Sequence, residues 1–321
     1  MRYFSVETFT TGIFTAWFAF SDQQAAIRLS ALLLLFVFTL IVLERYQRRA
    51  MAFHHYGTHF VPYKITRLRG VKAIASFVLC SIPLLAGFVL PVMMLVWWSY
   101  STFAQEFNAA FWVLVKNSFF LAATAATVVV SVALIVAISA RFKPFKINRF
   151  FAKISTLGYS IPGAVVAIGL ITIFIWLQNL IANLLPIVLL GTWVSLIYAY
   201  LVRFMAVAHN GIDSALSSIS TSIDESSRSL GRSYWQTLKE VLLPILKKPV
   251  GAAFLLVFID VVKELPITLI LRPFNFDTLA IRAFEFATDE RIAEAAPYAL
   301  VVILVGLIPV LFLNKIMPKG S

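Results

Sequence analysis

The sequence is poor in cysteine and in charge. Cys80 is its single cysteine, which excludes an intrachain disulfide and paired-thiolate motifs. Charged residues make up 13% of the chain, whereas soluble domains carry roughly 25%. Hydrophobic residues reach 60%, and the mean hydropathy is +0.89. This composition excludes an ordinary soluble domain and indicates an integral membrane protein.

Sequence motifs of soluble enzymes are also absent. The chain has no G-x-x-x-x-G-K-[ST] phosphate loop, no H-E-x-x-H and no G-x-S-x-G, so nothing favours an enzyme or ATP binding by this chain. The first 24 residues lack the basic start and apolar run of a cleavable signal peptide, and we predict none. We expect no cofactor on this chain.

Long apolar runs dominate what is present. A membrane-spanning helix needs about 20 such residues. The sequence predicts an all-α integral membrane protein with about seven spans: Ala26–Leu43, Ile74–Trp97, Ser118–Ala140, Ser155–Leu177, Leu184–Ala208, Val250–Leu271 and Ala296–Leu313.

The net charge of +12 raises the question of nucleic-acid binding, but the basic residues are grouped by topology. They concentrate in three segments that alternating spans place on one side, which the positive-inside rule makes cytoplasmic. We therefore predict no nucleic-acid partner. The segments contain Arg45, Arg48, Arg49, Lys64, Arg67, Arg69 and Lys72; Arg141, Lys143, Lys146, Arg149 and Lys153; and Arg228, Arg232, Lys239, Lys247 and Lys248.

A polar stretch, Asp224–Pro244, interrupts the apolar spans on this predicted cytoplasmic side. Ser222 with Glu225 fits a capping box at the start of a short helix, and Gly231 fits the positive φ of a helix end. We expect a second amphipathic helix that Pro244 interrupts. One interpretation is a helix that docks a partner protein, and the other is an ordinary amphipathic loop at the membrane surface.

The spacing within this stretch resembles the EAA loop of ATP-binding-cassette importer permeases. Serines replace the two alanines of that motif, and valine stands where isoleucine is usual, so residue size is kept. The resemblance implies a coupling loop, residues 209–249, that docks on a cytoplasmic ATPase dimer, with ATP and magnesium held by that partner. The matching residues are Glu225, Ser226, Ser227, Gly231, Val241, Leu243 and Pro244.

The run Val262–Ala280 resembles the ferric-iron permeases of periplasmic-binding-protein-dependent importers, as do Phe4–Thr11, Thr156–Gly163 and Tyr198–Ala206. The resemblance implies a permease of the bacterial inner membrane that moves Fe(III) delivered by a periplasmic binding protein. Close relatives carry an aminoalkylphosphonate, thiamine or a polyamine, so another cargo is an alternative. A non-transporting membrane fragment or scaffold is a further alternative.

A weak internal repeat sets the predicted domain organisation. Glu7-Thr8-Phe9 aligns with Asp277-Thr278-Leu279, Phe14 with Phe284, and Ala25-Ala26 with Ala295-Ala296. Such repeats are common in transporters. We interpret residues 1–44 as the last amphipathic segment and span of an incomplete first half, 45–73 as a basic linker, and 74–317 as a complete second half. A second permease half is therefore an expected partner, along with membrane lipid.

Three ionisable residues occur inside the predicted span Val250–Leu271. Each costs about 2.5–3.5 kcal/mol at mid-bilayer on insertion scales. Helical spacing would place Asp260, Lys263 and Glu264 on one face, either neutralising one another or lining a translocation path or gate near Pro266. Arg203, in the span before the polar stretch, either snorkels to the surface or helps to hold that stretch.

Carboxylates on the predicted outer side suit a hard cation such as Fe(III). They are candidates for contact with cargo or with the binding protein, or they balance nearby arginines. Metal-ligand residues are otherwise unknown from the sequence; His55 and His59 have helical spacing in the basic linker but lack further ligands. The outer candidates are Asp277, Glu285, Asp289 and Glu294.

Overall fold

The structure, a computed structural model, describes residues 8–50, 67–142, 158–181 and 188–316. Within these ranges it is helical and has no strand, which confirms the all-α prediction. His55 and His59 lie outside the described residues. The helices are α1 Phe9–Phe14, α2 Gln23–Ala50, α3 Val71–Glu106, α4 Ala109–Phe142, α5 Gly163–Ile181, α6 Trp193–Ser217, α7 Thr221–Ser229, α8 Tyr234–Val262, α9 Pro266–Leu271, α10 Leu279–Thr288 and α11 Ile292–Ile316.

Five helices among the described residues are long and apolar enough to cross a membrane: α3, α4, α5, α8 and the Gln23–Glu44 part of α2. Helix α11 contributes a shorter apolar segment, Ile292–Leu307. Helix α6 has 25 residues but a more polar composition. The predicted span Val250–Leu271 is wrong as one continuous helix, because α8 ends at Val262 and α9 starts at Pro266.

Small side chains in α4 allow the central helices to pack closely. Ala122, Ala125, Ala126 and Ala133 are fully buried, and α4 packs against both α6 and α8. Close backbone approach through small residues is the usual basis of helix association in lipid. The alanine-rich composition of Ser118–Ala140 thus places α4 at the centre of the bundle.

The predicted repeat has a structural counterpart at two helix starts. The Thr8 hydroxyl accepts a hydrogen bond from the N–H of Thr11 (3.2 Å) and caps α1. Thr278 accepts from the N–H of Ile281 (3.4 Å) and caps α10. Their backbone angles are nearly the same, with φ −123° and ψ 162° at Thr8 and φ −122° and ψ 166° at Thr278.

The register of the repeat changes by one residue after these caps. A π turn, Thr15–Ala19, follows α1, and such a turn inserts one residue into a helix. The positive-φ residues that follow are Ser21 and Glu290, 269 positions apart, whereas Thr8 and Thr278 are 270 apart. The predicted pairing of Ala25-Ala26 with Ala295-Ala296 is therefore shifted, and Ala26 corresponds to Ala295.

Two glycines allow the segment before α5 to approach its neighbours. A Cβ at Gly158 would lie 1.9 Å from the carbonyl oxygen of Val202 in α6, and a Cβ at Gly163 would lie 2.4 Å from Glu264 Oε1. A methyl group at Gly158 would collide with the backbone of α6, and one at Gly163 would displace the Glu264 side chain. Gly158 and Gly163 are both buried, so these two positions face the bundle interior.

We expect Gly158→Ala to lower stability by about 1–3 kcal/mol, the usual cost of overpacking, because the backbone of α6 would have to move. The measurement is the midpoint of thermal unfolding of the purified protein in detergent. Gly169→Ala in α5 is the matched control, because no atom lies within 4 Å of a Cβ there. Equal midpoints for the two variants would contradict the close approach.

Candidate functional site

The predicted short helix of the polar stretch forms, with a different cap. Helix α7 is Thr221–Ser229, and its N-cap is Ser220, which accepts from the N–H of Ser222 (3.3 Å). The predicted cap at Ser222 is therefore wrong by two residues. Because Ser222 is already inside the first turn, its side chain is too late in the chain to cap the helix.

The end of α7 is a Schellman motif centred on Gly231. This glycine has φ +81°, as predicted. Its N–H donates to the carbonyl of Arg228 (2.9 Å), and the N–H of Arg232 donates to the carbonyl of Ser227 (3.3 Å). These two bonds satisfy the last carbonyls of α7 and turn the chain sharply toward α8.

Helix α8 begins with a capping box and continues through Pro244. Ser233 accepts from the N–H of Gln236, whose side chain accepts from the N–H of Ser233. The predicted interruption at Pro244 is wrong. A π turn, Leu238–Leu242, precedes the proline, and this local rewinding accommodates a residue that cannot donate to the preceding turn. Helix α8 therefore joins the polar stretch directly to the membrane-spanning part.

Side chains of α4 and α8 hold one face of α7. Asp224 pairs with Arg141 of α4 (2.7 Å), and the buried Ser227 hydroxyl lies 2.9 Å from that of Thr237 in α8. Sequence reasoning assigned Arg141 to the basic topological cluster and missed its contact with α7. No sequence signal separates it from the neighbouring basic residues.

The other face of α7 is open. Glu225 and Ser226 are exposed, and two apolar side chains of the turn and helix that follow, Leu230 and Trp235, are 82% and 68% exposed. Val241 and Leu243 of the motif are half-buried and Pro244 is exposed in α8. The arrangement thus combines a helix anchored from one side with an exposed surface on the other.

The ionisable residues at the end of α8 do not share one face. Asp260 and Lys263 pair at 2.8 Å, as helical spacing predicts. The prediction for Glu264 is wrong, because α8 ends at Val262 and the chain turns before Pro266 starts α9. After this turn the buried Glu264 carboxylate lies beside Arg203 of α6.

Glu264 forms a buried polar cluster with the segment before α5 and with α6. The residue is 9% exposed, and its Oε2 lies 3.6 Å from Nε of Arg203. The Arg203 guanidinium also donates to the carbonyl of Ile161. Arg203 therefore neither snorkels to the surface nor contacts the polar stretch.

Two hydroxyl groups extend this cluster along α9. Thr268 donates to the backbone carbonyl of Glu264 (2.5 Å), and the fully buried Tyr200 hydroxyl lies 2.6 Å from Thr268 Oγ1. Because the Thr268 proton is used, Tyr200 is the donor of that bond. The cluster thus satisfies the backbone carbonyl that the break between α8 and α9 exposes.

Three of the four outer carboxylates are paired with arginines. Arg272 contacts both Asp277 and Glu285 (3.5 Å to Glu285), and Arg291 contacts Glu294 (3.1 Å). Among the described residues, no group of three or more His, Cys, Asp or Glu side chains is placed to hold a metal ion. The arrangement is therefore that of charge-balanced pairs, and contact with cargo or a binding protein stays a prediction.

A cavity of about 400 Å³ lies between the two segments of the predicted repeat, α1 with the π turn that follows it and α10. Phe14 and Phe284, which occupy equivalent repeat positions, both line it, together with Arg272 and Glu285. Its lining thus combines one phenylalanine from each segment with the ion pair between Arg272 and Glu285.

Comparison with known proteins identifies relatives of this chain. Residues 129–319 match a family model described as binding-protein-dependent transport system inner membrane component. The chain is 30% identical over 320 residues to the Fe(3+)-transport system permease protein FbpB 2 of Haemophilus influenzae, covering 96% of this chain and 60% of that protein. Both matches agree with the resemblance seen in the sequence motifs.

Another relative is named for a different solute. A Salmonella typhimurium protein named for 2-aminoethylphosphonate transport, PhnV, is 25% identical over 171 residues, covering 53% of this chain and 62% of PhnV. The chain thus spans about 60% of the length of these two relatives.

A solved structure supports the fold. A bacterial alginate ABC transporter, crystallised with an alginate pentasaccharide-bound periplasmic protein, matches with a TM-score of 0.63 and 18% identity. The match covers 77% of this chain and 94% of the transporter chain. At this identity the likeness concerns the fold alone.

We expect Glu264→Ala to destabilise the protein by about 3–5 kcal/mol, because it leaves the partly buried Arg203 without its carboxylate. Lys263→Ala, which removes a 60% exposed partner of Asp260, should cost about 0–1 kcal/mol. Chemical unfolding of the purified protein measures both. Equal costs for the two variants would contradict the importance of the buried pair.

Proposed function

Because this chain belongs to the family of binding-protein-dependent transport system inner membrane components, we propose that it is a permease subunit of an ATP-binding-cassette importer. The chain is a multi-pass inner-membrane protein, and ATP hydrolysis is assigned to a separate ATPase dimer. The single observation that carries the proposal is α7, a short helix anchored from inside the bundle and open on its other face. This is the geometry a docking helix needs.

The exposed surface around α7 supports contact with another protein. Leu230 and Trp235 offer exposed apolar area within the same stretch as the exposed, charged Glu225, and exposed apolar groups with a polar rim are typical of interaction sites. The Schellman turn and the capping box hold both ends of this surface in one conformation. A pre-organised surface loses less conformational entropy on binding.

We place the translocation path at the cavity between the repeated segments and along the break between α8 and α9. Pro266 and Glu264 mark this break, and Asp260 precedes it. Non-helical backbone at membrane depth is tolerated where it is buried in protein or lines a cavity. Such breaks allow one part of a bundle to move against another during alternating access.

Fe(III) is the cargo we favour, delivered by a periplasmic binding protein. The 30% identity to FbpB 2 extends over 96% of this chain, whereas the match to the phosphonate-named PhnV covers 53%. An aminoalkylphosphonate is the second candidate on the strength of that match. A second permease half completes the proposed complex, since such an importer presents one coupling helix to each ATPase subunit.

Affinity purification of the tagged chain from native membranes tests the docking proposal. We expect an ATPase subunit and a polypeptide that carries the other permease half to co-purify, as mass spectrometry identifies. Glu225→Lys should reduce the recovered ATPase at least tenfold, which corresponds to about 1.4 kcal/mol of lost binding.

Glu290→Lys is the matched control, with the same charge change at an exposed position in the turn after α10. It should retain the ATPase. Recovery of the chain without an ATPase would contradict the importer proposal and favour a non-transporting scaffold. Equal loss of the ATPase in both variants would contradict docking through α7.

Uptake into proteoliposomes containing the complete complex tests cargo and path together. We expect ATP-dependent uptake of Fe(III) presented by its binding protein, and no uptake of 2-aminoethylphosphonate. Asp260→Asn and Glu264→Gln should each lower uptake roughly tenfold, equivalent to about 1.4 kcal/mol in the barrier, because charge is lost along the path. Glu290→Gln serves as the control.

Uptake of 2-aminoethylphosphonate without uptake of Fe(III) would overturn the proposed cargo but not the proposal that the chain belongs to an importer. Wild-type uptake in both Asp260→Asn and Glu264→Gln would remove these residues from the path.

A further inference from the structure

Arg141 joins three helices at the end of the bundle that carries α7. Its Nε donates to Asp224 Oδ2 in the first turn of α7 (2.7 Å). Its Nη1 donates to the carbonyls of Leu216 (2.6 Å) and Ile219 (3.1 Å), and its Nη2 donates to those of Ile219 (3.1 Å) and Ser220 (3.2 Å). One side chain at the end of α4 therefore holds the end of α6 and the start of α7.

This arrangement differs from that of a topological arginine at a membrane surface. The Arg141 side chain is 10% exposed, whereas an arginine that interacts with lipid headgroups keeps its charged end in water. The carbonyls it binds are at or just beyond the C-terminus of α6, where the regular helical hydrogen bonds end. Those of Leu216 and Ser220 each also accept a backbone N–H, from Ile219 and Ile223 (both 3.2 Å). The planar guanidinium has five donors and can bind these carbonyls and Asp224 together, whereas a lysine has only three donors at one nitrogen.

A second contact reinforces the tie between α4 and the polar stretch. The ring of Phe142, next in the chain, lies 5.3 Å from that of Tyr234 at the start of α8. The Arg228 guanidinium of α7 lies 4.5 Å from the centre of the same Tyr234 ring. The end of α4 thus contacts both helices of the polar stretch.

The carboxylate of Asp224 is incompletely satisfied. Its Oδ1 is buried and has no hydrogen-bond partner, although buried polar atoms are normally paired. Arg141 and Asp224 therefore form one bond where a guanidinium and a carboxylate can form two. The five donors of Arg141 are already used, so a second bond to Asp224 Oδ1 requires Arg141 to release one of the backbone carbonyls between α6 and α7.

We propose that Arg141 is the positioning residue that transmits displacement of α7 to α4 and α6. The inference rests on the proposed docking of an ATPase to α7 and adds the route by which that docking moves the membrane helices. Three residues separate α6 from α7, and four separate α7 from α8. These short links give α7 little independent movement, and Arg141 makes the link to α4, which is distant in the sequence.

Hydrogen exchange of the wild-type chain and its variants in lipid nanodiscs tests whether Arg141 holds α7. We expect Arg141→Gln to speed exchange of the 221–229 amides about tenfold, equivalent to about 1.4 kcal/mol less protection. Arg141→Lys should have an intermediate effect. Arg232→Gln is the control, because it removes the same charge from an exposed pair with Glu240 on the same stretch. Unchanged exchange in Arg141→Gln would overturn the proposal.

Uptake per ATP hydrolysed, measured with the complete complex in proteoliposomes, tests transmission itself. A merely structural role would lower the amount of complex and leave this ratio unchanged. We expect Arg141→Gln to keep ATPase association within about twofold and to lower the ratio about tenfold, with Arg141→Lys between it and the wild type. Arg28→Gln, which removes the same charge at an exposed position of α2 outside the polar stretch, should match the wild type.

ATPase binding and transport by the wild-type complex separate failure of this inference from failure of the proposed function. If the wild-type complex neither binds an ATPase nor transports, the proposed function fails, and transmission through Arg141 fails with it. If the wild type works and Arg141→Gln retains the wild-type ratio, transmission through Arg141 is wrong and the proposed function stands. Should Arg141→Gln fail to assemble, a wild-type ratio in Arg141→Lys would overturn the requirement for the forked guanidinium.

Discussion

The need to satisfy polar groups inside an apolar bundle governs the arrangement around Glu264. Where α8 stops and α9 starts, backbone groups lose their helical partners, and in a membrane-embedded bundle no bulk water replaces them. Thr268 donates a hydrogen bond to the backbone carbonyl of Glu264, and Arg203 neutralises the Glu264 carboxylate. Gly158 and Gly163 let the neighbouring segment come close enough to complete the cluster. The helix break and its partners therefore depend on one another.

A related solution operates at the end of the bundle that carries α7. There Arg141 donates to the carbonyls of Leu216 and Ile219 at the end of α6, and to Asp224 in the first turn of α7. The open face of α7 is thus presented by a rigid support. If an ATPase docks on this face, the bonds that satisfy the helix ends are also the bonds through which force would pass.

The repeated segments show how sequence similarity and local geometry can differ. Thr8 and Thr278 cap their helices in the same way, and Phe14 and Phe284 face one cavity. A π turn after α1 then shifts the alignment by one residue. Sequence alignment favours the unshifted register, because that register pairs Ala25 with Ala295 and Ala26 with Ala296, whereas the shifted one pairs Ala25 with Glu294.

The sequence by itself determined the helical membrane class, the positive φ of Gly231 and the family, because composition, residue spacing and glycine geometry are local properties. Tertiary structure decided the rest. Asp260 pairs with Lys263 through helical spacing, but Glu264 turns away to Arg203, about 60 positions earlier in the chain. Arg141 likewise meets Asp224 across 83 positions. These pairs depend on which helices pack against each other, and the sequence around each residue does not specify that packing.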